Sequence, residues 1–147
     1  MSSLYINSII IASLWGMGPI FQKIVLKDIS SHIYFILTSL AIALCTFIFA
    51  IYHYKELKNV VKTISYKNIL LIITSAIFAS FIANLIYYHT LKTNKVQIVS
   101  IITSIYPLIS ILLAYLIFSE KIKLMSGLGI FLVISGLGLI AYSDYNK

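Results

Sequence analysis

Five long apolar runs, separated by short lysine-bearing connections, constrain this chain more than any other feature. They extend from Leu4 to about Leu26, Ile33 to Tyr52, Ile69 to Tyr88, Val96 to Phe118 and Leu124 to Tyr142, and no charge interrupts the last four. A helix rising 1.5 Å per residue needs about 20 apolar residues to cross the hydrocarbon of a bilayer. Within lipid every backbone N–H and C=O must find a partner inside its own segment, which leaves the helix as the default for runs of this length. The expected fold class is therefore an all-α membrane protein, a bundle of five transmembrane helices forming one domain over residues 1–147.

Composition agrees. Hydrophobic residues make up 61% of the chain, charged residues 10%, and the mean hydropathy is +1.01. Soluble domains carry roughly 25% charged residues, so this chain lacks the polar surface to stand in water. The net charge of +7 comes from lysines placed between the apolar runs, where they meet anionic headgroups rather than nucleic acid. The first run lacks the basic leader of a signal peptide and has no small-residue cleavage site beyond it, so it reads as a retained span. The expected location is a membrane, crossed several times, with a cell or inner membrane favoured.

Short connections at 27–32, 91–95 and 119–123 make successive spans antiparallel. The longer stretch from His53 to Asn68 places Leu57, Val60, Val61 and Ile64 at helical spacing, with Lys55, Lys58 and Lys62 opposite. That pattern predicts a short amphipathic helix lying in the interface; a solvated loop is the alternative. Five spans put the termini on opposite sides. Six lysines (55, 58, 62, 67, 121 and 123) then fall on the N-terminal side and five (23, 27, 92, 95 and 147) on the other. That is almost no orientational bias, although the basic interfacial segment favours a cytoplasmic N-terminus.

The acids Asp28, Glu56, Glu120 and Asp144 all lie at span ends or in connections, so no carboxylate at membrane depth is offered for proton or cation coupling. Lys23, the one charge near membrane depth, is read as snorkelling to the interface rather than binding an anionic substrate. Polar residues within the spans are neutral. Asn84, Tyr87 and Tyr88 cluster near the end of the third span, and Ser100, Ser104 and Pro107 share a face of the fourth. Such groups suit a neutral or zwitterionic solute, and equally suit hydrogen bonds between helices. Pro19 and Pro107 are expected helix kinks, each lacking an N–H for the carbonyl four residues back. Small residues recur every four positions in Ser8, Ala12, Gly16 and in Ser75, Ala79, Ala83. Gly129 and Gly136, two turns apart, suit a dimer seam. Cys45 sits alone in an apolar run. His32, His53 and His89 lie at different span ends without ligand spacing, so no metal site is expected. Nothing resembles a catalytic constellation, and the expectation is no enzyme and no cofactor.

Leu14-Trp15-Gly16 with Phe21 and Lys23 resembles the first helix of an EamA domain. Leu91 and Lys92 after the aromatic end of span three, Tyr106-Pro107 within span four, Ser119-Glu120 at the family's Gly-Glu position, and Gly127 or Gly129 with Gly136 extend the resemblance over nearly the whole chain. The family belongs to the drug/metabolite transporter superfamily, whose usual members pair two inverted five-helix repeats and export amino acids, metabolites or drugs. The resemblance implies a half-size transporter completed by a second copy, possible as an antiparallel homodimer like the small multidrug resistance proteins, or by a paired homologous half. Those small proteins use a membrane-embedded Glu in their first helix, which this chain lacks. Trp15, Asn84, Tyr88, Ser104 and Tyr106 are the candidate substrate-binding residues, with the bilayer and a small solute as partners. The alternative is a non-transporting accessory or assembly subunit of a membrane complex.

Overall fold

The computed structural model describes residues 2–121 and 123–145, all-helical with turns between. Lys147, counted above among the basic residues, and the side chain of Asp144 lie outside what is described. Five helices are long and apolar enough to cross a membrane: Ser3–Val25, Ser31–Tyr52, Tyr66–Thr93, Val96–Phe118 and Leu124–Ser143. The chain divides into two compact units, Met1–Thr93 and Asn94–Lys147.

The first unit begins with α1 (Ser2–Val25), which stays helical through Pro19. After a turn, Ser30 caps α2 (Ser31–Tyr52) by accepting from the Ile33 N–H at 3.3 Å. A hydroxyl in this place satisfies one of the donors that a helix start leaves orphaned. The amphipathic pattern after His53 folds as α3 (Tyr54–Thr63). Ser65 then caps α4 (Tyr66–Ser75), accepting from the Asn68 N–H at 3.2 Å.

The third span does not remain α-helical. Ala76–Ile82 winds as a π-helical segment, at whose end the Ala83 N–H reaches the Phe78 carbonyl five residues back. The span then resumes as α5 (Ala83–Thr93) and runs past Tyr88, the expected end of the apolar run. Ser75, Ala79 and Ala83 were expected to share a face. A spacing of four nearly matches one α-helical turn of 3.6 residues, but it falls short of a turn in the wider winding, so the stripe drifts. π segments inside α-helices occur often at functional sites.

In this unit α1 and α2 both pack against α5. The packing is tightest at one end, where Leu26 and Leu91 are fully buried and Ser31 and Tyr88 nearly so. Elsewhere the large apolar side chains are mostly exposed, including Leu40, Phe47 and Ile72. Such a surface needs lipid or another helix against it.

The second unit contains α6 (Val96–Thr103), α7 (Tyr106–Phe118) and α8 (Leu124–Tyr145), with α6 packed on α8. The fourth span is broken rather than merely bent. The break falls at Ser104–Ile105, and Pro107 opens α7. Proline is tolerated in a first turn because the N–H it lacks would have had no intrahelical partner there. At the other end of α7, Ser119 takes the left-handed conformation (φ 56°, ψ 30°).

Candidate functional site

The first unit holds a groove of about 530 Å³ between α2 and the third span. One wall is a single face of α2, with Thr38, Ser39 and Thr46 set among Phe35, Ala43 and Ala50. The other wall carries Ser80 from the π segment and Asn84 and Tyr88 from α5. Tyr88 is packed edge-on against Tyr34, with centroids 4.9 Å apart. Phe35 meets Phe81 in the same way at 5.0 Å and lies 6.3 Å from Tyr88. Edge-to-face pairs of this kind fix ring orientation and stiffen the inner end of the groove.

The hydrogen bonds define what the groove offers. Thr38 donates its hydroxyl to the carbonyls of Tyr34 (2.9 Å) and Phe35 (3.0 Å), and Thr46 donates to Ile42 at 2.8 Å. Asn84 donates through Nδ2 to the Ser80 carbonyl at 2.7 Å. The threonine hydroxyl protons are therefore directed into backbone, and their oxygens remain as acceptors. The Asn84 amide adds a carbonyl oxygen and a second N–H. No charged residue lines the groove, so a solute with N–H or O–H donors meets acceptors without the desolvation of a buried protein charge.

The five candidate binding residues divide. Asn84 and Tyr88 come together in this groove. Trp15 lies on α1 of the same unit, about two-thirds exposed, and is not part of the groove wall. Ser104 and Tyr106 belong to the second unit. Ser104 donates to the Ser100 carbonyl at 2.7 Å, and Tyr106 begins α7 half exposed. Thr38, Ser39, Thr46 and Ser80 escaped the sequence reading. A signal for the α2 face existed, because Ser39, Ala43, Thr46 and Ala50 follow one another at steps of four, three and four.

Lys23 occupies a defined place. Its ammonium donates to the carbonyls of Leu91 (2.7 Å) and Lys92 (2.8 Å) in the last turn of α5, and Lys92 in turn donates to the Ile29 carbonyl at 2.6 Å. A cation at the C-terminal end of a helix satisfies orphaned carbonyls and complements the negative end of the helix dipole. Gly129 and Gly136 are exposed to the outside of the chain, since a Cβ at either would meet nothing within 4 Å. Among the described residues, no group of three or more His, Cys, Asp or Glu is placed to hold a metal ion.

Five apolar membrane-length helices with a neutral polar groove between two of them define a multi-pass membrane protein. The chain belongs to the EamA-like transporter family, which matches residues 3–142. It is 30% identical over 144 residues to an uncharacterized protein of Methanocaldococcus jannaschii, covering 98% of this chain and 100% of that relative. No solved structure matches it.

Proposed function

We propose that the chain is a half-size secondary transporter for a small neutral or zwitterionic organic solute, such as an amino acid, metabolite or drug, and that it works as a dimer. The observation that carries this reading is the groove of the first unit. It holds acceptor oxygens and an amide but no charge, in a member of a transporter family. One repeat supplies one wall. In transporters built of inverted repeats the site lies at the repeat interface near the bilayer midplane, so a second copy in opposite orientation, or a homologous half, supplies the facing wall. The relative matched from end to end is itself of one-repeat length, which supports half-size members as a working unit. The acids within the described helices and turns cluster away from the groove, which favours a mechanism without a carboxylate proton carrier there.

The test is flux by the purified chain in liposomes, screened over amino acids, other metabolites and dyes. Asn84→Ala should leave folding nearly intact, because a hydrogen bond between membrane helices averages only about 0.6 kcal/mol. Flux should fall further, since solute groups left unpaired in the groove carry a penalty of about 1–3 kcal/mol. If no solute moves while the protein is folded and inserted, the accessory-subunit reading replaces this one. If a dye moves only with an imposed pH gradient, the argument against proton coupling fails.

A further inference from the structure

The second unit carries a hollow of different chemistry where α7 gives way to α8. The left-handed turn at Ser119 is followed directly by Glu120 and Lys121, and Lys123 begins the first turn of α8 by accepting the Gly127 N–H at 3.0 Å. Around this turn lies a cavity of about 760 Å³ whose wall combines Glu120, Lys121, Lys123 and Ser126 with Ile111 and Ile130. Those two isoleucines also line a second cavity of about 600 Å³, whose other walls are aliphatic, Leu108, Leu112 and Ile134 among them. The two hollows therefore adjoin along one side of α7 and α8, with a charged end leading into an apolar trough.

Among the described residues neither lysine forms an ion pair, and with Glu120 the charged end has a net charge of +1. The trough faces a bilayer, so acyl chains are the available filling, and lysines at a span end meet the headgroup layer. We propose that this hollow binds one anionic phospholipid, its phosphodiester between Lys121 and Lys123, its headgroup near the Ser126 hydroxyl and one acyl chain along Ile111 and Ile130. A zwitterionic phospholipid is disfavoured because its cationic group would have to find Glu120 while its phosphate kept both lysines. That alternative reverses the sign of one substitution, which makes it separable.

The experiment uses the full chain reconstituted in phosphatidylcholine vesicles containing a minor share of phosphatidylglycerol, then extracted in mild detergent. Native mass spectrometry counts the lipid that stays bound. The wild type should retain phosphatidylglycerol above its share. An interfacial lysine contributes about 1 kcal/mol toward an anionic surface, so Lys121→Gln and Lys123→Gln should each lower retention about fivefold. Glu120→Gln should raise it. Ile130→Trp, which fills the trough at constant charge, should lower it. Lys55→Gln with Lys58→Gln, on α3, should leave it unchanged. Retention in proportion to the vesicle composition overturns the proposal, as does an equal loss from the α3 pair, which would mean bulk charge alone. A fall with Glu120→Gln overturns it in favour of a zwitterionic occupant, and Ile130→Trp without effect, with displacement by inorganic phosphate, reduces the site to a headgroup contact and refutes the trough. Circular dichroism of each variant checks that the helices persist; Ile130→Trp and Glu120→Gln decide the matter should the lysine variants unfold.

Discussion

Lys23→Met removes one ammonium and almost nothing else, so it measures what the carbonyl bonds at the closed end of the first unit contribute. Met keeps the length of the stem and its apolar contacts. The two hydrogen bonds lost, 2.7 Å to Leu91 and 2.8 Å to Lys92, are charge-assisted, but only the first is partly buried. A charge-assisted bond contributes about 1.5–3 kcal/mol. The exposed one is largely exchanged for water or headgroup contacts, and the dipole interaction adds about 0.3–1 kcal/mol. Against this, Met is cheaper than Lys to hold near membrane depth. The net expectation is a loss of about 1–2 kcal/mol, read as a lower midpoint in an SDS titration of helicity in mixed micelles. Lys92→Met should lose a similar or smaller amount, since its bond to Ile29 is exposed. The two substitutions should not add, because Lys23 binds the carbonyl of Lys92 itself. A Lys23→Met protein as stable as the wild type would refute the assignment of this lysine to the α5 terminus. Unchanged stability with loss of flux confined to anionic solutes would make the ammonium a substrate ligand instead.

Three further outcomes are expected. Ser119→Gly should stabilise by about 0.5–1 kcal/mol in the same titration, because an L-residue in the left-handed region costs about 1–2 kcal/mol and the added freedom of the unfolded glycine returns part of that; no gain would mean the turn relaxes without Gly. Gly129→Leu and Gly136→Leu should each weaken dimerisation by about 1–3 kcal/mol while leaving the fold of the chain unchanged, since neither position has a neighbour within the chain to crowd; cross-linking equal to wild type in both would move the seam elsewhere. With Cys45→Ser as background, Lys58→Cys and Lys95→Cys should both be labelled from outside in a sizeable fraction of molecules, as the six-to-five lysine count predicts; labelling of one site alone would rule out dual topology and require a distinct partner chain.

By itself the sequence determined the solvent and the elements. Span length and apolarity are properties of a local stretch, so the five membrane-length helices were legible directly. So was α3, because Leu57, Val60 and Val61 repeat with the helical period. Asn84 and Tyr88 were legible as site candidates because a neutral polar group at membrane depth stands out against its neighbours. Thr38, Ser39 and Thr46 were not, because a hydroxyl that bonds its own helix is common in any span and reveals nothing about what faces it. The tertiary structure alone decided that α2 lies against α5, which turns two unremarkable helix faces into the walls of a groove. It also replaced a snorkelling Lys23 by one held to the carbonyls of Leu91 and Lys92, 68 and 69 residues away along the chain. The π winding of Ala76–Ile82 and the break at Ser104–Ile105, ahead of Pro107, belong with these. The physical reason is common to all four. In lipid an apolar run satisfies its own backbone whatever its neighbours are, so helicity is written locally. Lateral packing and the choice among nearly equivalent hydrogen-bond registers depend on the side chains of other spans, and those meet only in the folded molecule.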